Sequence, residues 1–74
     1  MQWVPVDSTV IAQIGYDSAK HELGIEYRAS GEVYLYFDVP PEDHEAFMAA
    51  ESKGIYLNTV FKLRGYRYVI VRNS

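Results

Sequence analysis

Two short turn sequences separate three strand-like stretches in the first half of the chain, and this spacing constrains the fold most. The stretches are Val10–Tyr16, Leu23–Arg28 and Val33–Phe37, and the first two alternate apolar residues with other residues. The turns are Asp17–Lys20 and Ala29–Gly31, whose aspartate, serine and glycine residues favour tight reversals of the chain. Strands that are joined by such short turns pair in antiparallel order. The sequence therefore predicts a three-stranded antiparallel meander.

The segment that follows the third stretch is typical of a helix. Pro41 suits the first helical turn, because its missing N–H costs no hydrogen bond there. Acidic residues come next, where negative charge stabilises the N-terminus of a helix. The predicted helix covers residues 42–53, with Lys53 in its last turn and Gly54 as its left-handed cap.

The two ends of the chain complete the predicted architecture. Residues 55–64 fit a helix and an alternating strand equally well, whereas residues 66–71 are aromatic and β-branched and predict a closing strand. Residues 1–9 predict an N-terminal segment in which Pro5 limits regular strand pairing. The predicted fold class is α+β, with a three- to four-stranded antiparallel meander sheet packed against one or two helices. The predicted order is β-β-β-α-α, with an additional C-terminal strand as an option.

Length and the absence of cysteine bound what the protein can be. The chain has 74 residues and no cysteine, so we expect a single domain, residues 1–74, without disulfides. A domain of this size buries only about 60% of the surface of its unfolded chain, and self-association would bury more. A homo-oligomer is therefore one expectation. The N-terminus has no signal-peptide pattern and no apolar run could span a membrane, which predicts a cytoplasmic protein.

A series of short motifs runs through most of the chain. In chain order they are Asp7-Ser8-Thr9, Ile14–Asp17, Leu23–Tyr27, Gly31, Tyr34-Leu35-Tyr36, Val39-Pro40, Phe47, Ser52-Lys53-Gly54, Tyr56 and Asn58. In this order and spacing, the motifs resemble those of the KTSC family. The resemblance covers roughly residues 6–66. The family takes its name from a domain at the C-terminus of some lysyl-tRNA synthetases and also occurs as free-standing bacterial proteins.

The resemblance implies a compact sheet with helices, a helical segment at residues 55–63, and RNA as the expected ligand. The chain departs from the family pattern at Leu35, where a polar residue is expected. It also departs in the tail, residues 64–74, which carries an additional strand-like segment. Both departures add apolar surface and favour a partner chain.

The inventory of side chains argues against catalysis. The chain has no cysteine nucleophile, and its serines lie in no recognisable nucleophile motif. His21 falls in a turn and His44 in an acidic helix start, where solvated side chains are more common than catalytic ones. The acidic residues beside His44 are explained by the helix dipole without a metal. We therefore predict a protein that is not an enzyme and that has no cofactor and no metal site.

Two clusters of side chains predict ligand binding. Tyr34 and Tyr36 point to the same side of one strand, either as a platform on which bases stack or as residues of the core. A second cluster combines a cation, a helix end, a ring and an amide in Lys53, Gly54, Tyr56 and Asn58. This set suits an anion and a base edge, and helix capping explains Lys53 and Gly54 equally well.

A third cluster is basic and is interleaved with aromatic residues. It contains Lys62, Arg64, Arg67 and Arg72, with Tyr66 and Tyr68 among them. Such interleaving suits single-stranded nucleic acid, and an edge strand that is protected by charge explains it equally well. The candidate ligand-binding residues are Tyr34, Tyr36, Lys53, Gly54, Tyr56, Asn58, Lys62, Arg64 and Arg67.

The uneven charge of the chain leaves more than one function open. Residues 1–61 contain ten acidic and three basic side chains, whereas residues 62–74 contain four basic side chains and no acidic one. The leading prediction is a non-catalytic module that binds a nucleotide-type ligand, with RNA as the first candidate. One alternative is a homo-oligomer that binds or sequesters a free nucleotide or small anionic metabolite, which an acidic body repels less than a polyanion. Another is a protein-interaction module that pairs through the 66–71 edge.

Overall fold

The protein, here as a computed structural model that describes residues 1–72, is built on one five-stranded sheet. The strands are β1 (Gln2–Pro5), β2 (Ile11–Asp17), β3 (Glu22–Tyr27), β4 (Val33–Tyr36) and β5 (Tyr68–Arg72). They are antiparallel and lie in chain order across the sheet. The predicted α+β class and the antiparallel meander are confirmed, with five strands in place of three or four. The last two residues of the predicted domain, residues 1–74, lie outside the described part.

The helical layer lies between β4 and β5 in the chain. It consists of α1 (Pro41–Ala49) and α2 (Lys53–Tyr56), and α2 continues through a π-helical turn, Leu57–Phe61, and a 3-10 turn, Lys62–Arg64. The helical interpretation of residues 55–64 is therefore correct. A strand would have buried alternate residues, but Ile55 and Leu63 are 65% and 79% exposed.

The hydrophobic core lies between the helices and one face of the sheet. Ile14, Leu23 and Ile25 project from β2 and β3 and are at most 1% exposed. Phe47 from α1 and Leu57 from the π-helical turn meet them and are equally buried. Burying one such side chain stabilises the fold by about 1.5–3 kcal/mol, so this cluster is the main source of stability.

The N-terminal segment was not predicted to be a strand, yet residues 2–5 form the edge strand β1 and pair with β2. Pro5 is the last residue of β1, where a missing N–H is tolerated. The Trp3 indole lies over two glycines of the neighbouring strands, Gly15 and Gly24. A Cβ added at Gly24 would lie 2.5 Å from the Trp3 ring, so this position must be glycine for the ring to lie there.

The predicted end of the first helix is also wrong. α1 ends at Ala49, and Lys53 and Gly54 are the first two residues of α2. Gly54 has a helical conformation and no positive φ, so it is not a left-handed cap. Its missing Cβ instead lets Val10 approach, since Val10 Cγ2 would lie 3.1 Å from a Cβ at Gly54. The left-handed cap is Gly65, with φ 72°, at the end of the 3-10 turn.

Candidate ligand-binding site

The helices leave one end of the core-facing side of the sheet uncovered, and a cavity of about 500 Å³ lies there. Aromatic rings form most of its surface, so we call it the tyrosine pocket. Its lining residues are Tyr27, Tyr34, Tyr36, Phe61, Lys62, Gly65, Tyr66 and Tyr68.

Strand register places the sheet tyrosines of the pocket side by side. Tyr36 is directly opposite Tyr68, and Tyr34 lies two residues before Tyr36 on the same face of β4. The Tyr34 and Tyr68 rings are nearly parallel, with centroids 5.3 Å apart and 18° between their planes. Tyr27 meets Tyr34 edge to face at 5.0 Å. The result is a continuous aromatic wall that runs across β3, β4 and β5.

Tyr36 and Phe61 close the inner end of the pocket. Their rings pack edge to face at 4.9 Å, and they are 5% and 1% exposed. The Tyr36 hydroxyl lies 3.1 Å from the Tyr27 hydroxyl, and this pair uses one of its two protons in the shared hydrogen bond. Burial raises the pKa of both Tyr36 and Tyr27 above the usual value, so both hydroxyls stay protonated at neutral pH.

Asp43 of α1 fixes the outer wall of the pocket. The Tyr66 hydroxyl donates a hydrogen bond to Asp43 Oδ2, and Arg64 Nε lies 3.6 Å from the same oxygen. Burial and the neighbouring Asp43 carboxylate raise the pKa of Tyr66. Because Gly65 turns the chain between these two residues, Asp43 anchors the whole segment from Arg64 to Tyr66.

Sequence and structure comparisons identify the family. Residues 7–70 match the sequence profile of the KTSC domain. The chain belongs to the KTSC family. A crystal structure of a KTSC domain protein from Yersinia pestis has the same fold, with a TM-score of 0.88 and 37% identity over 96% of this chain and 97% of that chain. The match reaches into β5, so the prediction that the tail lies outside the usual KTSC pattern is wrong.

Similar sequences include free-standing proteins and part of a larger enzyme. A protein of Tsukamurella paurometabola is 42% identical over 81% of this chain and 88% of its own length. An uncharacterised protein of Stutzerimonas stutzeri is 40% identical over 92% of this chain and 94% of its own length. A lysine–tRNA ligase of Nostoc punctiforme is 41% identical over 76% of this chain, which is only 10% of the ligase. Neither the family match nor the free-standing relatives indicate a family of enzymes.

The pocket of this KTSC domain brings together three predicted site residues. Tyr34, Tyr36 and Lys62 all line it. Tyr36 is almost completely buried and belongs to the core, yet its ring still faces the cavity, while Tyr34 is half-buried. The core alternative therefore holds for Tyr36, and ligand binding by the pair stays a prediction.

The second predicted cluster lies elsewhere, beside a cavity of about 510 Å³ that Lys53, Gly54 and Asn58 help to line. Lys53 Nζ donates to the Met48 carbonyl at 3.0 Å and to the Ala50 carbonyl, so its charge stabilises the end of α1. The residues of the KTSC motif, Ser52, Lys53 and Gly54, thus lie at the connection between α1 and α2. Ser52 Oγ accepts a hydrogen bond from the backbone N–H of Ile55 and caps α2.

The remaining predicted residues are dispersed. Tyr56 is half-buried and packs against the Phe47 ring, with centroids 4.8 Å apart. Arg67 lies over the Phe37 ring at 4.4 Å, and Arg64 is held by Asp43. Ligand binding by Lys53, Gly54, Tyr56, Asn58, Arg64 and Arg67 stays a prediction, and none of these residues lines the tyrosine pocket.

Sequence reasoning missed several pocket residues. Tyr27, Phe61, Gly65, Tyr66 and Tyr68 line the pocket but were not among the predicted site residues. A signal for Tyr27 was present, because the short turn at residues 29–31 brings the end of β3 against the start of β4. Tyr66 and Tyr68 were recognised as part of the basic and aromatic cluster of the tail. Their place in this pocket had no local signal, since the pairing of Tyr68 with β4 spans more than thirty residues of chain.

Other candidate features of the KTSC domain are accounted for by packing. His44 stacks on Tyr16 at 4.3 Å, and burial lowers the pKa of its imidazole.

No three His, Cys, Asp or Glu side chains within residues 1–72 come together as a metal site. In the same residues, no helix is both long enough and apolar enough to cross a membrane.

Proposed function

We propose that this KTSC domain is a non-catalytic module that binds a nucleotide-type ligand in the tyrosine pocket. The observation that carries the proposal is a cavity of about 500 Å³ with aromatic walls and a lining cation, Lys62. A planar base would stack on the exposed ring of Tyr68 beside Tyr34, and such stacking contributes about 1–3 kcal/mol per base. The Lys62 ammonium group would meet a phosphate.

The hydroxyl groups of the pocket add a means of orienting the ligand. The Tyr27–Tyr36 pair keeps one proton outside its shared hydrogen bond, so one hydroxyl can donate to a base edge or to a ribose oxygen. Both groups are neutral donors at neutral pH, as tyrosines ordinarily are, and burial raises the pKa of each further. A mostly aromatic pocket with a few polar groups is typical of small-molecule sites.

The lining of the pocket also supports a role without catalysis. Of the residues that the structure describes, none that lines it carries a carboxylate, an imidazole or an aliphatic hydroxyl. Burial raises the pKa of Tyr27, Tyr36 and Tyr66, which makes these three hydroxyl groups poor bases and poor nucleophiles at neutral pH. These features suit recognition better than acid–base chemistry.

RNA and a free nucleotide are the two ligands of this class. The similarity to part of a lysine–tRNA ligase makes RNA the first candidate by association. A free nucleotide suits the acidic body and the lining cation, Lys62, better. The proposal includes a cytoplasmic location, because both ligands are abundant there.

Thermal-shift titration with nucleotides and short single-stranded RNA tests the proposal. Binding should raise the melting temperature of the wild-type domain as ligand concentration increases. Tyr68→Ala should weaken binding roughly ten- to hundredfold through the lost stacking. Val71→Ala, on the same strand but outside the pocket, should bind normally. Lys62→Ala should weaken binding, whereas Lys20→Ala in the distant turn should not.

The proposal fails if no nucleotide or RNA stabilises the wild-type domain. It fails equally if Tyr68→Ala and Val71→Ala bind with the same affinity, because the ligand would then lie outside the tyrosine pocket.

A second candidate function, self-association through β5, rests on a different observation. All five residues of β5 are exposed, and Val69, Ile70 and Val71 are 44%, 42% and 56% exposed. β5 is the last strand of the sheet within residues 1–72, so its outer edge can pair with a second copy. The second half of β5 has one extra residue relative to Val33 and Tyr34 of β4, so the strand is irregular there. We therefore expect a second copy to pair with the first half of β5.

Sedimentation velocity distinguishes this second candidate from the first. Wild-type protein should dimerise as its concentration rises, and Val69→Lys should remain monomeric while retaining nucleotide binding. Equal sedimentation of the two proteins at all concentrations would exclude pairing through β5.

A further inference from the structure

We infer that the ligand is a free nucleoside monophosphate, bound as a single unit, and not a nucleotide within an RNA chain. This inference rests on the proposed function and narrows its ligand class. It follows from the shape of the tyrosine pocket and from the places where the basic side chains of the tail are held.

The pocket is closed at its inner end. Phe61 and Tyr36 form that end and belong to the hydrophobic core, so no strand could pass through it. A volume of about 500 Å³ lies in the lower part of the range for small-molecule sites, about 300–1,000 Å³. A base with its sugar would enter first, and its phosphate would remain at the mouth.

The mouth of the pocket offers one cation. Within residues 1–72, Lys62 is the only basic side chain that lines the cavity, and it forms no salt bridge there. A terminal phosphate carries nearly two negative charges on one group, which one ammonium group can contact directly. A nucleotide inside a chain would instead bring two phosphodiesters to a mouth that has one cation.

The other basic side chains of the tail within residues 1–72 contact partners inside the domain. Arg64 is paired with Asp43 at 3.6 Å, and Arg67 lies over the Phe37 ring. Arg72 is paired with Glu26 at 3.2 Å and also donates to the Gly31 carbonyl. Proteins that hold single-stranded nucleic acid line a groove with cations that follow the backbone. These side chains form no such row beside the pocket.

The charge of the body points in the same direction. Residues 1–61 contain ten acidic and three basic side chains, so most of the surface repels a polyanion. A small anion that reaches one lysine encounters less of this repulsion than a chain that extends across the domain.

Calorimetric titration of three ligand classes tests the inference. The ligands are nucleoside monophosphates, the matching nucleosides, and single-stranded hexanucleotides without terminal phosphates. The monophosphates should bind at least tenfold more tightly than the nucleosides and the hexanucleotides. Lys62→Ala should remove the difference between monophosphate and nucleoside, and Lys20→Ala should preserve it. The affinity for the monophosphate should also fall as the salt concentration rises, with the small slope expected for about one phosphate contact.

Two results would overturn the inference in distinguishable ways. If hexanucleotides bind most tightly, lose affinity steeply with salt, and are weakened by Tyr68→Ala, the proposed function stands and the monophosphate assignment falls. If none of the three classes binds, or if Tyr68→Ala changes nothing, both the assignment and the proposed function fall.

Discussion

At the scale of single residues, Asp43 shows how one side chain can serve two purposes. Its position in the first turn of α1 complements the helix dipole, as the sequence indicates. The structure adds a role that no local pattern reveals, because Asp43 also receives the Tyr66 hydroxyl and pairs with Arg64. These partners lie more than twenty residues away in the chain, and they hold the outer wall of the tyrosine pocket.

Asp43→Ala should therefore loosen that wall. The side chain of Asp43 is only 18% exposed, so solvent screens its contacts little. We expect the free energy of unfolding to fall by about 1–2 kcal/mol, the scale of a hydrogen bond to a charged group. Glu42→Ala is the matched control, because Glu42 is exposed in the same helical turn, and it should change stability by less than about 0.5 kcal/mol. Urea denaturation measures both, and equal losses would contradict the role of Asp43.

The buried hydroxyl of Tyr36 predicts how stability depends on alkaline pH. Burial raises the pKa of Tyr36 above its usual value of 10.0, so the folded chain keeps the proton after the unfolded chain has released it. Tyr36 should have no effect on the pH dependence of stability below pH 10. Above it, Tyr36 should lower the free energy of unfolding by about 1.4 kcal/mol per pH unit. Urea denaturation from pH 8 to pH 11 should show a shallower decline for Tyr36→Phe, and identical slopes would contradict this assignment.

At the scale of elements, the sequence correctly predicted those strands and helices that are determined by residues close together in the chain. The three central strands, the start of α1 at Pro41 and the helical segment after residue 53 follow from alternation, turn residues and the family resemblance. β1 was missed, because what holds it is the Trp3 ring over Gly15 and Gly24, and that contact joins distant parts of the chain. The end of α1 was misplaced for a related reason. In the sequence, glycine at residue 54 is typical of a helix cap. In the structure, its missing Cβ leaves room for the side chain of Val10.

Gly65 is the glycine whose conformation matters at the end of the helical layer. With φ at 72°, it turns the chain from the 3-10 turn toward Tyr66. Gly65→Ala should cost about 1–2 kcal/mol of stability, because a side chain is strained in this conformation even though no atom lies within 4 Å of its Cβ. Gly65→Asn should cost less, since asparagine tolerates the left-handed region better. Thermal denaturation compares the two, and equal losses would contradict the conformational explanation.

Trp3 provides a spectroscopic test of how β1 packs. It is the single tryptophan of the chain, and its ring occupies the space that a Cβ at Gly24 would need. Gly24→Ala should displace the indole toward water, shift its fluorescence to longer wavelength and cost about 1 kcal/mol. Gly54→Ala, which meets Val10 instead, should leave the emission maximum unchanged. An unchanged maximum in Gly24→Ala would contradict the observed contact.

At the scale of the whole molecule, the tyrosine pocket exists because two layers of unequal extent meet. The sheet carries tyrosines on β3, β4 and β5, whereas the helices cover only part of that face. Sequence reasoning found Tyr34, Tyr36 and Lys62, but it grouped Lys62 with cations that the fold holds elsewhere. Which side chains share a cavity is decided by the pairing of β5 with β4 and by the turn at Gly65, and neither follows from local pattern.

The central claim is that a base lies against the ring of Tyr68 in this pocket, and nuclear Overhauser effects test it most directly. Spectra of the domain with a saturating nucleoside monophosphate should show contacts between base protons and the ring protons of Tyr34 and Tyr68. Contacts to Tyr16, which lies at another cavity beside His44, should be absent. Base contacts that appear at Tyr16 or at Asn58 and not at Tyr68 would contradict the account.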